Sequence, residues 1–88
     1  MIDLGQEIID RYIEENDFVL DFKEVSNIDS SGLIVIIGKR ARSEQFGKSL
    51  VLCNLSEKVK QIFQQHKLIS SFKIYNSVDE AVKSFATI

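Results

Sequence analysis

The chain has no proline, one cysteine and one histidine in 88 residues, and each scarcity closes off a class of protein. Without proline, an uninterrupted alternation of regular elements is expected. A lone Cys53 can form neither an internal disulfide nor a multi-thiolate zinc site. With only His66 to join it, no structural metal centre is expected, and no cofactor either. Basic residues are not in excess: 11 against 13 acidic ones give a net charge of −2, which offers nucleic acid no electrostatic footprint. No apolar run approaches the ~20 residues of a membrane span, and the N-terminus lacks a signal-peptide pattern. The four glycines, Gly5, Gly32, Gly38 and Gly47, form neither G-x-G-x-x-G nor Walker spacing. What remains is ordinary for a globular chain: 44% hydrophobic and 27% charged residues, in a length that supports one core. No repeat, low-complexity tract or linker composition marks a boundary, so residues 1–88 are expected to form a single domain in a reducing, cytoplasmic setting.

The apolar spacing of Leu4, Ile8, Ile9, Tyr12 and Ile13 predicts a helix over Leu4–Ile13. Phe18–Phe22 reads as a strand, being short, apolar and rich in strand formers. The run Leu33-Ile34-Val35-Ile36-Ile37 taken alone fits a buried strand. Its setting favours a helix from about Ser31 to Glu44: Asp29 or Ser30 is a good N-cap, Lys39-Arg40-Ala41 follow without a break, and Gly47 is a stop signal. Gly38 inside that helix costs ~1 kcal/mol relative to Ala, which predicts close packing against a neighbour. A second strand over Ser49–Cys53 leads to a helix from about Ser56 to His66, capped by Asn54 or Ser56. Phe72–Tyr75 forms a third strand. Ser77 with Glu80 has capping-box spacing and opens a last helix carrying Ala81, Val82 and Phe85. A helix followed by three strand–helix units implies a small α/β domain with a short, mainly parallel sheet and about four helices.

Chemistry concentrates in Asn27-Ile28-Asp29-Ser30-Ser31-Gly32-Leu33. Two hydroxyls and a carboxylate lie where a strand-to-helix loop delivers the chain to a helix N-terminus, the end of an α/β sheet at which sites form. A phosphoryl group on Ser30 or Ser31 would meet the positive end of the helix dipole, favourable by roughly 0.3–1 kcal/mol. It would also add about −1.5 to −2 charges to the surface. The plain reading is that Asp29 or Ser30 does no more than cap the helix.

Competing chemistry is thin. A serine nucleophile needs a base in reach, and nothing places His66 beside Ser30. Cys53 ends an apolar strand and reads as a small buried hydrophobe. The chain is therefore not expected to be an enzyme. Lys39, Arg40 and Arg42 read as a solvated helix face or as a contact for an acidic partner. Five branched apolar residues from Leu33 to Ile37 cover every side of a helix, so most should be core and one or two stay exposed as an anchor.

Val19-Leu20-Asp21-Phe22, Ile28-Asp29-Ser30-Ser31-Gly32-Leu33, Gly38, Leu50-Val51-Leu52 and Asn54-Leu55-Ser56 together resemble STAS domains, in particular the bacterial anti-sigma factor antagonists. Val59, Phe63, Leu68, Phe72–Tyr75 and Ser77–Ala81 continue the resemblance, which covers about residues 18 to 85. It implies a non-enzymatic partner switch. Family antagonists bind an anti-sigma factor that is also a serine kinase and so release the sigma factor. The kinase modifies the serine directly after the aspartate, which is Ser30 here, with Ser31 the second choice, and a PP2C-type phosphatase reverses the step. Asp29, Ser30, Ser31, Gly32 and Leu33 would form the partner-binding surface, with Gly32 permitting close backbone approach. The resemblance also carries an alternative: a non-phosphorylated docking subunit of a transport complex, or a truncated paralogue acting as an oligomer. Family members usually have a pair of strands before the first helix, so this chain reads as N-terminally shortened. Phe18–Phe22 would then have one unpaired backbone edge, at which a homodimer is expected.

Overall fold

The computed structural model describes residues 11–86. Most of the expected first helix lies outside them; residues 11–15 are helical (α1), and Ile13 is wholly buried. The chain continues as β1 (Phe18–Asp21), α2 (Ser30–Gln45), β2 (Leu50–Cys53), α3 (Glu57–Gln65), β3 (Ile74–Tyr75) and α4 (Val78–Phe85). This is the expected helix followed by three strand–helix units. The strands pair in parallel in the order β1-β2-β3, with Val19 opposite Val51 and Cys53 opposite Tyr75.

Side chains alternate across the central strand, β2, which is buried along its whole length. Leu50 and Leu52 join Ile13, Leu33 and Ile36 of α2, Val59 and Phe63 of α3, Phe22 and Phe72 in the larger cluster. Val51 and Cys53 point the other way, to Ala81 of α4, with Val19, Tyr75 and Phe85 around them. Helices α1, α2 and α3 thus cover one face and α4 the other. Phe63 centres the larger cluster, with its ring edge-on to Phe22 at 6.3 Å and to Phe72 at 5.7 Å. Each such pair adds about 0.5–1.5 kcal/mol beyond burial.

Local chemistry sets the helix ends. Asp29, Ser56 and Ser77 are the N-caps, each accepting a backbone N–H from the first turn. Glu80 completes its capping arrangement one residue early, by accepting from the N–H of Asn76 at 3.2 Å. At the end of α2, Gly47 takes φ +71°, and the N–H groups of Gly47 and Lys48 close onto the carbonyls of Glu44 and Ser43. The same closure ends α3, where Lys67 at φ 58° stands in the position that usually holds glycine.

Three expectations need correction. The third strand covers only Ile74–Tyr75, because Phe72 turns into the core beside Phe63 rather than continuing the ladder. Gly38 is not a close-packing site: a Cβ there would meet nothing within 4 Å. Arg40 and Arg42, read with Lys39 as one basic group, are divided between two sets of neighbours. Arg40 pairs with Glu44 and lies over Phe72, whereas Arg42 pairs with Glu14 of α1 and lies over Phe46.

Candidate functional site

The loop between β1 and α2 is pinned by apolar residues and so presents its polar ones. Phe22 is buried and accepts the N–H of Val25 through its carbonyl, while Val25 and Ile28 pack on the larger cluster. The next four residues then turn outward into the helix start. Asp29 is extended, at φ −97° and ψ 177°, and its Oδ1 accepts the Gly32 N–H at 2.9 Å. Its carbonyl accepts the Leu33 N–H at 3.0 Å. Of the two candidate caps, Asp29 is therefore the one used, which leaves the hydroxyls of Ser30 and Ser31 exposed on the first turn. That turn carries no acidic side chain of its own. A Cβ on Gly32 would stand 2.8 Å from Ile28 Cγ1, so glycine permits the loop to fold against the helix start.

Leu33 is 4% exposed and belongs to the core, so it does not face a partner. On this part of α2 the exposed apolar side chains are Ile34 at 69% and Val35 at 46%. They lie one turn beyond Ser30 and Ser31 on the same side of α2. Gly38, exposed and without a Cβ, extends that face by another turn. Spacing alone carried a signal for this: with Leu33, Ile36 and Ile37 turned inward at three and one apart, residues 34 and 35 are left outside.

The same end of the sheet holds a second polar junction, which the sequence reading passed over as a choice of cap. Asn54 adopts φ 59° and its side-chain amide donates to Asp21 Oδ1 at 3.0 Å. That oxygen also accepts the Lys23 N–H at 2.9 Å. The Asn54 amide and then the Lys23 N–H hold the Asp21 carboxyl below the usual aspartate value. Beside this junction, Lys23, Lys60, Asn54, Ser56 and Asn76 line an open cleft of about 360 Å³.

Cys53 has no exposed surface, and burial followed by the charge of Asp21 pushes its thiol above the ordinary range. His66 is the C-cap of α3. In a parallel sheet that position falls at the end opposite the start of α2, so His66 and Ser30 are not brought together. Among the described residues no group of three His, Cys, Asp or Glu side chains is placed to hold a metal, and no helix is long and apolar enough to cross a membrane.

A short parallel sheet faced by return helices, with a capped Asp-Ser-Ser-Gly turn at the start of α2, defines a class of domain. The STAS domain family matches residues 3–81, and the chain belongs to it. Among curated proteins it is 33% identical over 73 residues to BtrV of Bordetella bronchiseptica, described as a candidate anti-sigma factor antagonist. That alignment takes in 83% of this chain and 63% of BtrV, so the chain spans less than two thirds of its relative's length. Among solved structures it resembles a candidate anti-sigma factor antagonist from Thermotoga maritima, with a TM-score of 0.79 and 22% identity. The match covers 94% of this chain and 77% of the other, and carries the fold.

Proposed function

We propose that this chain is an anti-sigma factor antagonist: a non-enzymatic partner switch set by phosphorylation of Ser30. In this reading it binds an anti-sigma factor that is also a serine kinase, and a PP2C-type phosphatase resets it. The observation that carries the proposal is the exposed Ser30–Ser31 pair at the Asp29-capped start of α2, adjoining the exposed apolar face of Ile34 and Val35. Apolar surface supplies the binding energy, at about 25 cal/mol per Å² removed from water. A phosphoryl group beside it adds charge that the interface must desolvate. The helix dipole tolerates the same charge, so modification abolishes one interface without unfolding the domain. The name of BtrV and the family membership support this role.

The partner surface is then Asp29, Ser30, Ser31 and Gly32 with Ile34 and Val35, rather than Leu33. The test is intact mass after incubation with ATP and the candidate anti-sigma kinase from the same genome, run on wild type, Ser30→Ala and Ser31→Ala. One added phosphate on wild type and Ser31→Ala, and none on Ser30→Ala, is the expected result. Equal modification of all three moves the switch elsewhere. No added mass on any, with the kinase active on another antagonist, removes the phosphorylation reading.

A further inference from the structure

At the end of the sheet opposite Ser30, where β2 and β3 begin, α2 returns and a cavity of about 150 Å³ opens. Arg40, Lys48 and Lys73 line it together with Ser49, Ser71 and a single carboxylate, Glu44. In a chain of net charge −2 this is a local reversal of sign. Arg40 is held on two sides. Its Nη1 donates to Glu44 Oε1 at 2.7 Å, and its guanidinium carbon lies 5.0 Å from the centre of the Phe72 ring. Its Nε is nevertheless buried with no acceptor among the described residues. A buried donor of a charged group that lacks an acceptor is costly and calls for a partner, such as a water or an ion.

The charge balance selects the ligand class. Glu44 is occupied by Arg40, and neither Lys48 nor Lys73 has a carboxylate within ion-pair distance among the described residues. Asp17 adjoins Lys73 in the neighbouring cavity, with its Oδ1 taken by the Ser49 N–H at 2.9 Å. Within the cavity itself two cations without an ion pair match a dianion, and a guanidinium fixed in place matches a tetrahedral oxyanion. The N–H groups of Gly47 and Lys48 already close the carbonyls of Glu44 and Ser43, which lessens the repulsion that an open helix C-terminus would exert on an anion. We infer that this cavity binds a small doubly charged oxyanion of the phosphate class, taken as free phosphate or as the phosphomonoester end of a small metabolite. The site is independent of Ser30, which lies about 15 Å away along the α2 axis at 1.5 Å per residue.

The experiment is an amide-shift titration of the isotope-labelled full chain with inorganic phosphate, with glycerol 3-phosphate, and with chloride at matched ionic strength. Saturable shifts at residues 48, 49, 71 and 73 with either phosphate compound, absent with chloride, are expected. Lys48→Gln and Lys73→Gln change side chains outside the core and should each weaken binding roughly tenfold or more. Arg40→Lys keeps the charge, loses the fork and should weaken binding as well. Tighter binding of the ester assigns the site to a metabolite; equal or weaker binding assigns it to free phosphate. Shifts that chloride reproduces, or affinities unchanged in both lysine variants, overturn the inference.

Discussion

Gly32 and Gly38 sit on the same helix, and their surroundings give substitution opposite signs. A methyl group on Gly32 would meet Ile28 Cγ1 at 2.8 Å, in the body of a branched side chain that is itself packed on the core. Overpacking of this kind costs about 1–3 kcal/mol, against a propensity gain of at most ~1 kcal/mol in the first turn. Gly38 has nothing within 4 Å of a Cβ, so only the propensity gain remains, also ~1 kcal/mol. Gly32→Ala is therefore expected to lower the denaturant midpoint and Gly38→Ala to raise it. A rise in both would mean that Ile28 gives way freely. The sequence had marked both glycines, and only the identity of their spatial neighbours separated them.

At the scale of elements, the Asp21–Asn54 bond ties the C-terminal end of β1 to that of β2. The Asp21 carboxyl is lowered from the ordinary value of 3.8, first by the Asn54 amide and then by the Lys23 N–H. A carboxylate lowered in the folded state contributes stability that is complete above its unfolded value and is lost as the pH falls toward its folded value. Wild-type denaturant midpoints should therefore drop from about pH 5 to about pH 3 more steeply than those of Asp21→Asn. Identical slopes would show that the bond does not favour the ionised form. The element order and the cap at Ser77 were legible, and the caps of α2 and α3 were narrowed to Asp29 or Ser30 and Asn54 or Ser56, because a capping side chain and the N–H it accepts lie three residues apart. The length of β3 was not, because Phe72 chooses the Phe63 ring over the ladder, and Phe63 belongs to another element. The bounds of α3 were legible as well, but the positive φ of Lys67 just beyond it was not, because the backbone closure holds that residue in a conformation that its type does not favour.

For the whole molecule, the three-stranded sheet has a buried centre and an edge at β1, which pairs only with β2 among the described residues. Three strands are near the minimum for independent stability, and an open edge is a template for a second chain. Light scattering across a concentration series should therefore give a mass that rises from one chain toward two. A single-chain mass throughout would remove the edge-paired homodimer. The site at the start of α2 and the basic cavity lie at opposite ends of this sheet, because every strand runs the same way and every helix returns. The proposed partner at Ser30 and the proposed anion at Arg40 would thus not exclude each other. The sequence by itself determined the alternation of elements, the pair of candidates for each cap and the Asp-Ser-Ser-Gly turn, since each depends on residues within about one helical turn. Only the tertiary structure decided which cap candidate is used at α2 and α3, that Gly38 stands open, and that Arg40, Lys48 and Lys73 share a cavity. Those outcomes depend on which distant segments pack against these helices, and no local spacing encodes that.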